Sequence, residues 1–293
     1  MSLHLRGFSP QSIQSRLKLA HDVGVPLSRI ASVAQVPKEV REWQARPLDA
    51  IYPLVCLDCR QLWSGSSDLL HDTVCTAIGI KMTGEKEVLG FWLTRREDAT
   101  FKRHILNDLR DRGVRDVLLV CAGGLTDFPE AISTVFPHTR VLPNIVKMVR
   151  HSLEVMPWKQ RAEVAAGLKR IYRAASTVDA QRHMREFETR WGNDQLPTLQ
   201  LWRHGWLQLA IFLDYPEHVR KIAVTACDAM ETMLSGLHKL RKRQEGLTDG
   251  NSTAQMVYLV LSGTRRGWKR PVKHWKSALN HLMDRFGRRI PMA

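Results

Sequence analysis

One acidic side chain lies near the end of an apolar segment, where burying an unpaired charge would cost free energy. Residues 51–57 form an apolar run that predicts a buried strand, and Asp58 comes late in that strand. A carboxylate in a buried strand loses its hydration unless a metal ion or a cationic side chain compensates it. We therefore expect a positively charged partner beside Asp58. Asp49 precedes the strand and is interpreted as a turn residue, and Pro53 weighs mildly against a central position for the strand.

The cysteines offer a second kind of chemistry. There are five, at positions 56, 59, 75, 121 and 227. The C-x-x-C spacing of Cys56 and Cys59 is typical of zinc sites. His71 and Cys75 are the nearby candidates for the two further ligands that such a site needs. Residues three apart on a strand point to opposite faces, which disfavours chelation. An odd number of cysteines without a secretory signal predicts buried free thiols in a reducing cytosol.

The order of apolar, turn and helical segments predicts an α/β fold. Three strands come first, followed by helix, strand, helix, strand and then helices; the strands are expected at 51–60, 72–82, 86–93, 116–122 and 140–143. The turn at 83–85 makes the second and third strands a hairpin. Gly113 closes the first of these helices, and Asp127 with Glu130 opens the next as a capping box. Antiparallel pairing in front and crossovers behind predict a mixed sheet covered by helices.

Helical patterns dominate the rest of the chain. Residues 145–247 are predicted to be helical, with four tryptophans as packing residues rather than base-stacking ones: Trp158, Trp191, Trp202 and Trp206. A loop is expected at 246–253, with helices at 256–261 and 272–286. Two short N-terminal helices form either a helical hairpin or the remnant of a helix-turn-helix.

Composition restricts the classes of partner. The chain has 293 residues, 44% of them hydrophobic, and a net charge of +15, which favours a polyanionic partner, nucleic acid before anionic membrane. No run of about eighteen apolar residues is present, so no membrane span is expected. Two-thirds of the net charge lies between positions 239 and 289, and we predict that this basic tail contacts DNA through Lys239, Arg241, Lys242, Arg243, Arg265, Arg266, Lys269, Arg270 and Lys273.

Four sequence blocks carry a resemblance to a known family. Residues 43–58 (WQARPLDAIYPLVCLD), 117–132 (VLLVCAGGLTDFPEAI), 215–231 (YPEHVRKIAVTACDAME) and 268–280 (WKRPVKHWKSALN) resemble signatures of the Mutator-type insertion-sequence transposases. The resemblance covers roughly residues 40–286. It implies a ribonuclease-H-like core with a large all-helical insertion, and DNA transposition by Mg²⁺-dependent strand cleavage followed by attack of the 3′-OH on target DNA. Divided on this basis, the chain has an N-terminal helical remnant (1–47), the first part of the core (48–150), the insertion (151–224) and a segment with the catalytic Glu and basic helices (225–293).

The resemblance assigns the catalytic and metal-binding positions. The family's Asp-Asp-Glu triad falls on Asp58, Gly123 and Glu231, with the wide second gap that the insertion creates. Two Mg²⁺ ions about 3.5–4 Å apart need several carboxylates. Gly123 supplies none, so the resemblance implies weakened Mg²⁺ binding at Asp58 and Glu231. Asp127 and Asp228 are the nearby acids that could compensate.

Two further departures point the same way. The family's C-x-x-H pair is represented by Asn144 and Lys147, which brings a positive charge towards the site. The resemblance also leads us to expect that the N-terminal DNA-binding portion of typical members is missing. We therefore expect a transposase that is catalytically impaired. The alternative is a non-catalytic DNA-binding relic, or an inhibitor of an intact transposase. The partners expected are insertion-element ends and target DNA, with a homo-oligomer on DNA, in the bacterial cytoplasm at the nucleoid.

Overall fold

A computed structural model describes residues 36–61, 73–94, 96–122, 127–191, 197–242, 250–264 and 268–290. Its five strands are β1 (Ile51–Gln61), β2 (Thr73–Ile80), β3 (Lys86–Thr94), β4 (Asp116–Ala122) and β5 (Arg140–Pro143). The described residues also form eleven α-helices: α1 (Val36–Ala45), α2 (Ala99–Asp111), α3 (Asp127–Val135), α4 (Ile145–Glu154), α5 (Arg161–Tyr172), α6 (Thr177–Trp191), α7 (Pro197–His204), α8 (Trp206–Leu213), α9 (Glu217–Lys242), α10 (Gly250–Thr264) and α11 (Trp275–Phe286).

The strands form one mixed sheet in the order β3-β2-β1-β4-β5. The hairpin of β2 and β3 is antiparallel, as is the pair of β1 and β2, whereas β4 and β5 join in parallel through helical crossovers. This confirms the predicted α/β class and mixed sheet. β1 is the central strand despite Pro53, because pairing with β2 begins only at Leu54 and so no β2 residue faces the proline.

Each face of the sheet carries its own hydrophobic core. From Leu54 onward β1 alternates: Leu54 and Cys56 lie in the larger core under α9, and Val55 and Leu57 lie in the smaller core under α2 and α3. The period of two continues through the strand, so Asp58 and Arg60 face the α9 side. The predicted boundaries at 150/151 and 224/225 fall inside α4 and α9, and the division into domains stays a prediction.

The C-terminal block is held on the β2–β3 hairpin by a close approach. Gly84 has φ +86, and a Cβ there would come within 2.4 Å of the Trp275 ring, so only glycine satisfies both the turn and the packing. The Trp275 Nε1 donates to the carbonyl of Met82 at 3.1 Å, and the Val272 amide donates to that of Gly84 at 3.0 Å. This docking fixes the position of the segment that leads into α11.

Several sequence predictions need correction. Cys59 and Cys75 lie opposite each other on β1 and β2 and form a disulfide. The prediction of buried free thiols therefore holds only for Cys56, Cys121 and Cys227. Trp158 is not a packing residue, since it is 77% exposed, whereas Trp202 is fully buried.

Two predicted element boundaries are also wrong. The loop expected to reach position 253 ends earlier, since α10 begins at Gly250. The last helix starts at Trp275 rather than Val272, because His274 adopts a left-handed conformation with φ +66.

Candidate active site

The central strand and the long helix α9 bring the two predicted acids into one neighbourhood. Cys56 on β1 and Cys227 on α9 are in contact, with their sulfurs 3.6 Å apart. One turn further along α9, Glu231 reaches Arg60, which lies two residues beyond Asp58 on the same face of β1. Asp58 is therefore flanked along its strand by two residues that both contact α9.

A lysine pairs with the first acid. The Nζ of Lys147, in the first turn of α4, donates to the Oδ1 of Asp58 at 2.5 Å and to the carbonyl of Cys59 at 3.4 Å. Asn144 caps this helix, its side chain accepting from the Lys147 amide at 3.0 Å, which fixes the lysine at the strand. The Asp58 side chain is only 1% exposed and that of Lys147 is 18% exposed. The cation expected beside Asp58 is therefore a side chain of this protein.

Two arginines hold the second acid. Arg60 donates to the Oε2 of Glu231 at 2.6 Å, and the Nε of Arg150 lies 3.3 Å from the same oxygen, although without hydrogen-bond geometry. The Ser235 hydroxyl donates to the Oε1 at 3.0 Å. Burial by itself would raise the pKa of Glu231, but Arg60, Arg150 and Ser235 outweigh it and hold the pKa below its usual value.

These side chains form a single cluster, which we name the charge cluster: Asp58, Arg60, Lys147, Arg150 and Glu231. Lys147 and Arg150 are three residues apart on α4, so one helix face supplies a cation to each acid. Arg150 also donates to the Oε1 of Glu154 on the same helix at 3.0 Å, and the two cations of α4 lie beside a histidine. Burial together with the charges of Arg150 and Lys147 lowers the pKa of His151.

The cluster does not fit a pair of Mg²⁺ ions. Each acid already has a cationic partner, and among the described residues no group of three or more His, Cys, Asp or Glu side chains is arranged to hold a metal ion. A metal ion would have to displace Lys147 from Asp58 and the arginines from Glu231. The Oδ2 of Asp58 and the hydroxyl of its cross-strand neighbour Thr76 are buried and have no hydrogen-bond partner within the described part of the chain, but two oxygens are too few for two dications.

Other predicted residues lie outside the cluster or outside the described structure. Asp228 is exposed on α9, unlike Glu231. Gly123 lies outside the described residues, as does the side chain of Asp127. Among the predicted DNA contacts, Lys269, Arg270 and Lys273 are exposed. The side chains of the remaining six, Lys239, Arg241, Lys242, Arg243, Arg265 and Arg266, are not described.

Sequence reasoning missed Arg60 and Arg150. Arg60 follows Asp58 at the strand period of two, and Arg150 follows Lys147 at the helical spacing of three. Both spacings were available in the sequence. What could not be read from it was that α4 and α9 meet over the end of β1.

With this geometry in place, comparison with known proteins identifies the family. The family described as "Transposase, Mutator family" matches residues 1–271, and the chain belongs to it. The transposase for insertion sequence element ISRM3 of Rhizobium meliloti is 33% identical over 293 residues, 99% of this chain and 73% of that protein. A probable insertion-sequence transposase of Corynebacterium diphtheriae is 26% identical over 312 residues, 98% of this chain and 91% of that protein. These relatives support a function in insertion-sequence transposition. No helix among the described residues combines the length and the apolar character that a bilayer crossing requires.

Proposed function

We propose that this chain binds insertion-element DNA as a transposase whose strand-cleavage chemistry is severely impaired. The observation that carries the proposal is the charge cluster, in which Lys147 neutralises Asp58 while Arg60 and Arg150 neutralise Glu231. An acid engaged by a short ion pair is a poor ligand for a dication, and the middle acid of the family triad is Gly123 in this sequence.

The fold assignment belongs to the same proposal. We propose a ribonuclease-H-like core, supported by a mixed five-stranded sheet whose central strand carries Asp58 and whose covering helix α9 carries Glu231. Helices α5 to α8 lie between β5 and α9 in the sequence, which supports assigning them to the all-helical insertion that the family resemblance implies. Assembly as a homo-oligomer on DNA, at the nucleoid, stays a prediction.

A cleavage assay tests the proposal directly. Purified chain is incubated with Mg²⁺ or Mn²⁺ and a labelled duplex that carries the ends of its own element, with Asp58→Asn as the background control. We expect the unmodified chain to cut no faster than Asp58→Asn, because the two acids cannot gather two dications. Cleavage at the element ends that Asp58→Asn abolishes would overturn the impaired-enzyme proposal.

A restoration series locates the cause of the impairment. Gly123→Asp returns the missing carboxylate, and Gly123→Asp with Lys147→His also removes the lysine that pairs with Asp58. We expect the double substitution to recover more cleavage than Gly123→Asp alone. Equal recovery in both variants would show that Lys147 does not obstruct the site.

The second candidate function is a non-catalytic one, as a DNA-binding relic or an inhibitor of an intact transposase. It is favoured by the same closed cluster combined with a net charge of +15, since DNA affinity needs no metal site. Adding the chain to a reaction of an active related transposase separates the two candidates. Inhibition that depends on the dose of added chain would support the role of inhibitor. An unchanged rate would exclude that role and leave only the DNA-binding relic.

A further inference from the structure

A basic pocket lies at the N-terminal end of α9, away from the charge cluster. Its volume is 280 Å³, and it is bounded by the end of α5, by α8, by the first turns of α9 and by the segment before α11. Its cationic lining residues are Arg173, Arg220, Lys221 and Lys273, and no member of the charge cluster lines it. We refer to these four residues as the basic pocket.

Arg220 is the buried element of the pocket. It is 8% exposed, and its Nη1 donates to the carbonyls of Ala174 at 2.8 Å and Tyr172 at 3.4 Å. Its Nε is buried without a hydrogen-bond partner, and no carboxylate of a described residue lies within ion-pair distance. A buried guanidinium without an anion is costly, and burial accordingly lowers the pKa of Arg220.

The mouth of the pocket adds charge that is not neutralised locally. Arg173 and Lys273 are exposed, and no ion pair to another described residue engages either of them. Lys221 alone has a partner, Glu217, at 2.9 Å. The pKa of Glu217 is lowered by its hydrogen bond to Lys221 and by the charge of that lysine, with Arg220 and Arg173 adding to the effect. The field at the mouth therefore favours an anion.

We propose that the basic pocket binds one phosphate of the DNA backbone, with Arg220 at its base and Arg173 and Lys273 at its mouth. This rests on the proposed function in that DNA is the source of the phosphate. A guanidinium presents several N–H donors in a plane and suits phosphate oxygens, while the lysine adds a point charge. Phosphate supplies the anion that the buried arginine lacks. The same chemistry would accept free inorganic phosphate, so the experiment separates the two sources.

The test compares two double variants that lose equal charge. Arg173→Ala with Lys273→Ala removes the mouth of the pocket, whereas Lys169→Ala with Arg185→Ala removes two exposed cations of α5 and α6 that do not line it. Arg220 is left intact because it also holds the carbonyls at the end of α5. Unchanged thermal melting of both variants confirms that they fold.

Affinity for a duplex is measured by fluorescence anisotropy across a range of salt concentrations. Losing one phosphate contact is expected to make the negative slope of log K against log salt shallower by about 1. Binding should weaken equally for all DNA sequences. The pocket variant should show this change relative to the control variant. Equal slopes and equal affinities in the two variants would overturn the inference.

A second arm identifies the phosphate itself. Each phosphate of the duplex is replaced in turn by an uncharged methylphosphonate. We expect one position at which the replacement weakens binding to the unmodified chain but not to the pocket variant. If no position behaves in this way, and inorganic phosphate alone raises the melting temperature of the unmodified chain but not of the pocket variant, the ligand is a free anion and the DNA inference fails.

The failure of the inference differs from failure of the proposed function. If the unmodified chain binds no duplex at all, both fail together. If it binds duplex and the pocket variant binds as the control does, only the inference about the pocket fails.

Discussion

The charge cluster and the basic pocket each include residues of α9 and use the same kinds of cation, but they differ in their anions. In the charge cluster Lys147, Arg60 and Arg150 are paired with Asp58 and Glu231. In the basic pocket Arg220 has no carboxylate partner among the described residues, and Glu217 engages only Lys221. The comparison shows that the neighbours of a basic side chain decide whether a carboxylate neutralises its charge.

The largest effect is expected from breaking the buried pair of the charge cluster. Lys147→Met leaves the carboxylate of Asp58 buried without its cation, so the free energy of unfolding should fall by about 3–5 kcal/mol. Urea denaturation measures the change. Asp58→Asn with Lys147→Met removes both charges and should recover most of the loss. A double variant no more stable than Lys147→Met would show that the lysine acts through something other than Asp58.

Removing the second acid should make the charge cluster resemble the basic pocket. Glu231→Gln leaves Arg60 without a carboxylate and leaves Arg150 with Glu154 alone, which should cost about 1.5–3 kcal/mol of stability. DNA affinity should rise and its salt slope should steepen by about 0.9 for each phosphate gained. Unchanged DNA affinity would show that the cluster is closed to DNA for reasons of shape rather than charge.

The stability difference between Glu231→Gln and the unmodified chain should depend on pH. The folded pKa of Glu231 lies below its usual value, so the stabilisation is complete above the unfolded pKa and is lost as the pH falls towards the folded one. Urea denaturation repeated at decreasing pH should show the two proteins converging in acid. A difference that does not depend on pH would exclude the ion pair as its source.

A substitution in the β2–β3 turn should affect the basic pocket rather than the charge cluster. Gly84→Ala places a methyl group against the Trp275 ring and strains a residue at φ +86, so stability should fall by about 1–3 kcal/mol. The affected segment carries Lys273, so DNA affinity should fall as well. Gly287→Ala, where a methyl group has open space, is the matched control. Loss of DNA affinity in Gly287→Ala as well would show that the loss in Gly84→Ala does not depend on the β2–β3 turn.

The smallest effect is expected from the acid beside the basic pocket. Glu217→Gln releases the exposed Lys221, and an exposed ion pair of this kind contributes little to stability. The melting temperature should therefore stay unchanged while the salt slope of DNA binding steepens. Anisotropy titrations with the unmodified chain as control measure the slope. A slope that does not change would mean that Lys221 makes no phosphate contact.

Local sequence signals predicted the sheet better than they predicted the site. The strand at β1 and the hairpin of β2 and β3 follow from apolar runs and turn residues, which act within a few neighbours. The left-handed His274 and the resulting late start of α11 depend on docking against Gly84, which lies far away in the sequence. The pairing of Cys59 with Cys75 likewise depends on strand register. Contacts of this kind are set by tertiary packing, which periodicity does not encode.

The candidate site shows the same difference between features that local sequence predicts and features that tertiary packing decides. Asp58 could be singled out because its own strand makes a lone carboxylate costly, and Glu231 because of the sequence block around it. The contacts of Arg60 and Arg150 with Glu231 depend on how α4, α9 and β1 meet in space. The basic pocket is also drawn from three separate segments of the chain, so no single stretch of sequence reveals it.

The continuous 26-residue helix α9 gives these two regions a fixed spacing. Arg220 and Glu231 are separated by about three helical turns, or about 16 Å along the axis. Because α9 is one continuous helix, the separation along it between the pocket proposed to bind a phosphate and Glu231 is fixed. At about 3.4 Å per nucleotide along one strand, that length corresponds to roughly five nucleotides. The fixed length of α9 would thus set the position of a bound strand end relative to the acids, without any contact to a base.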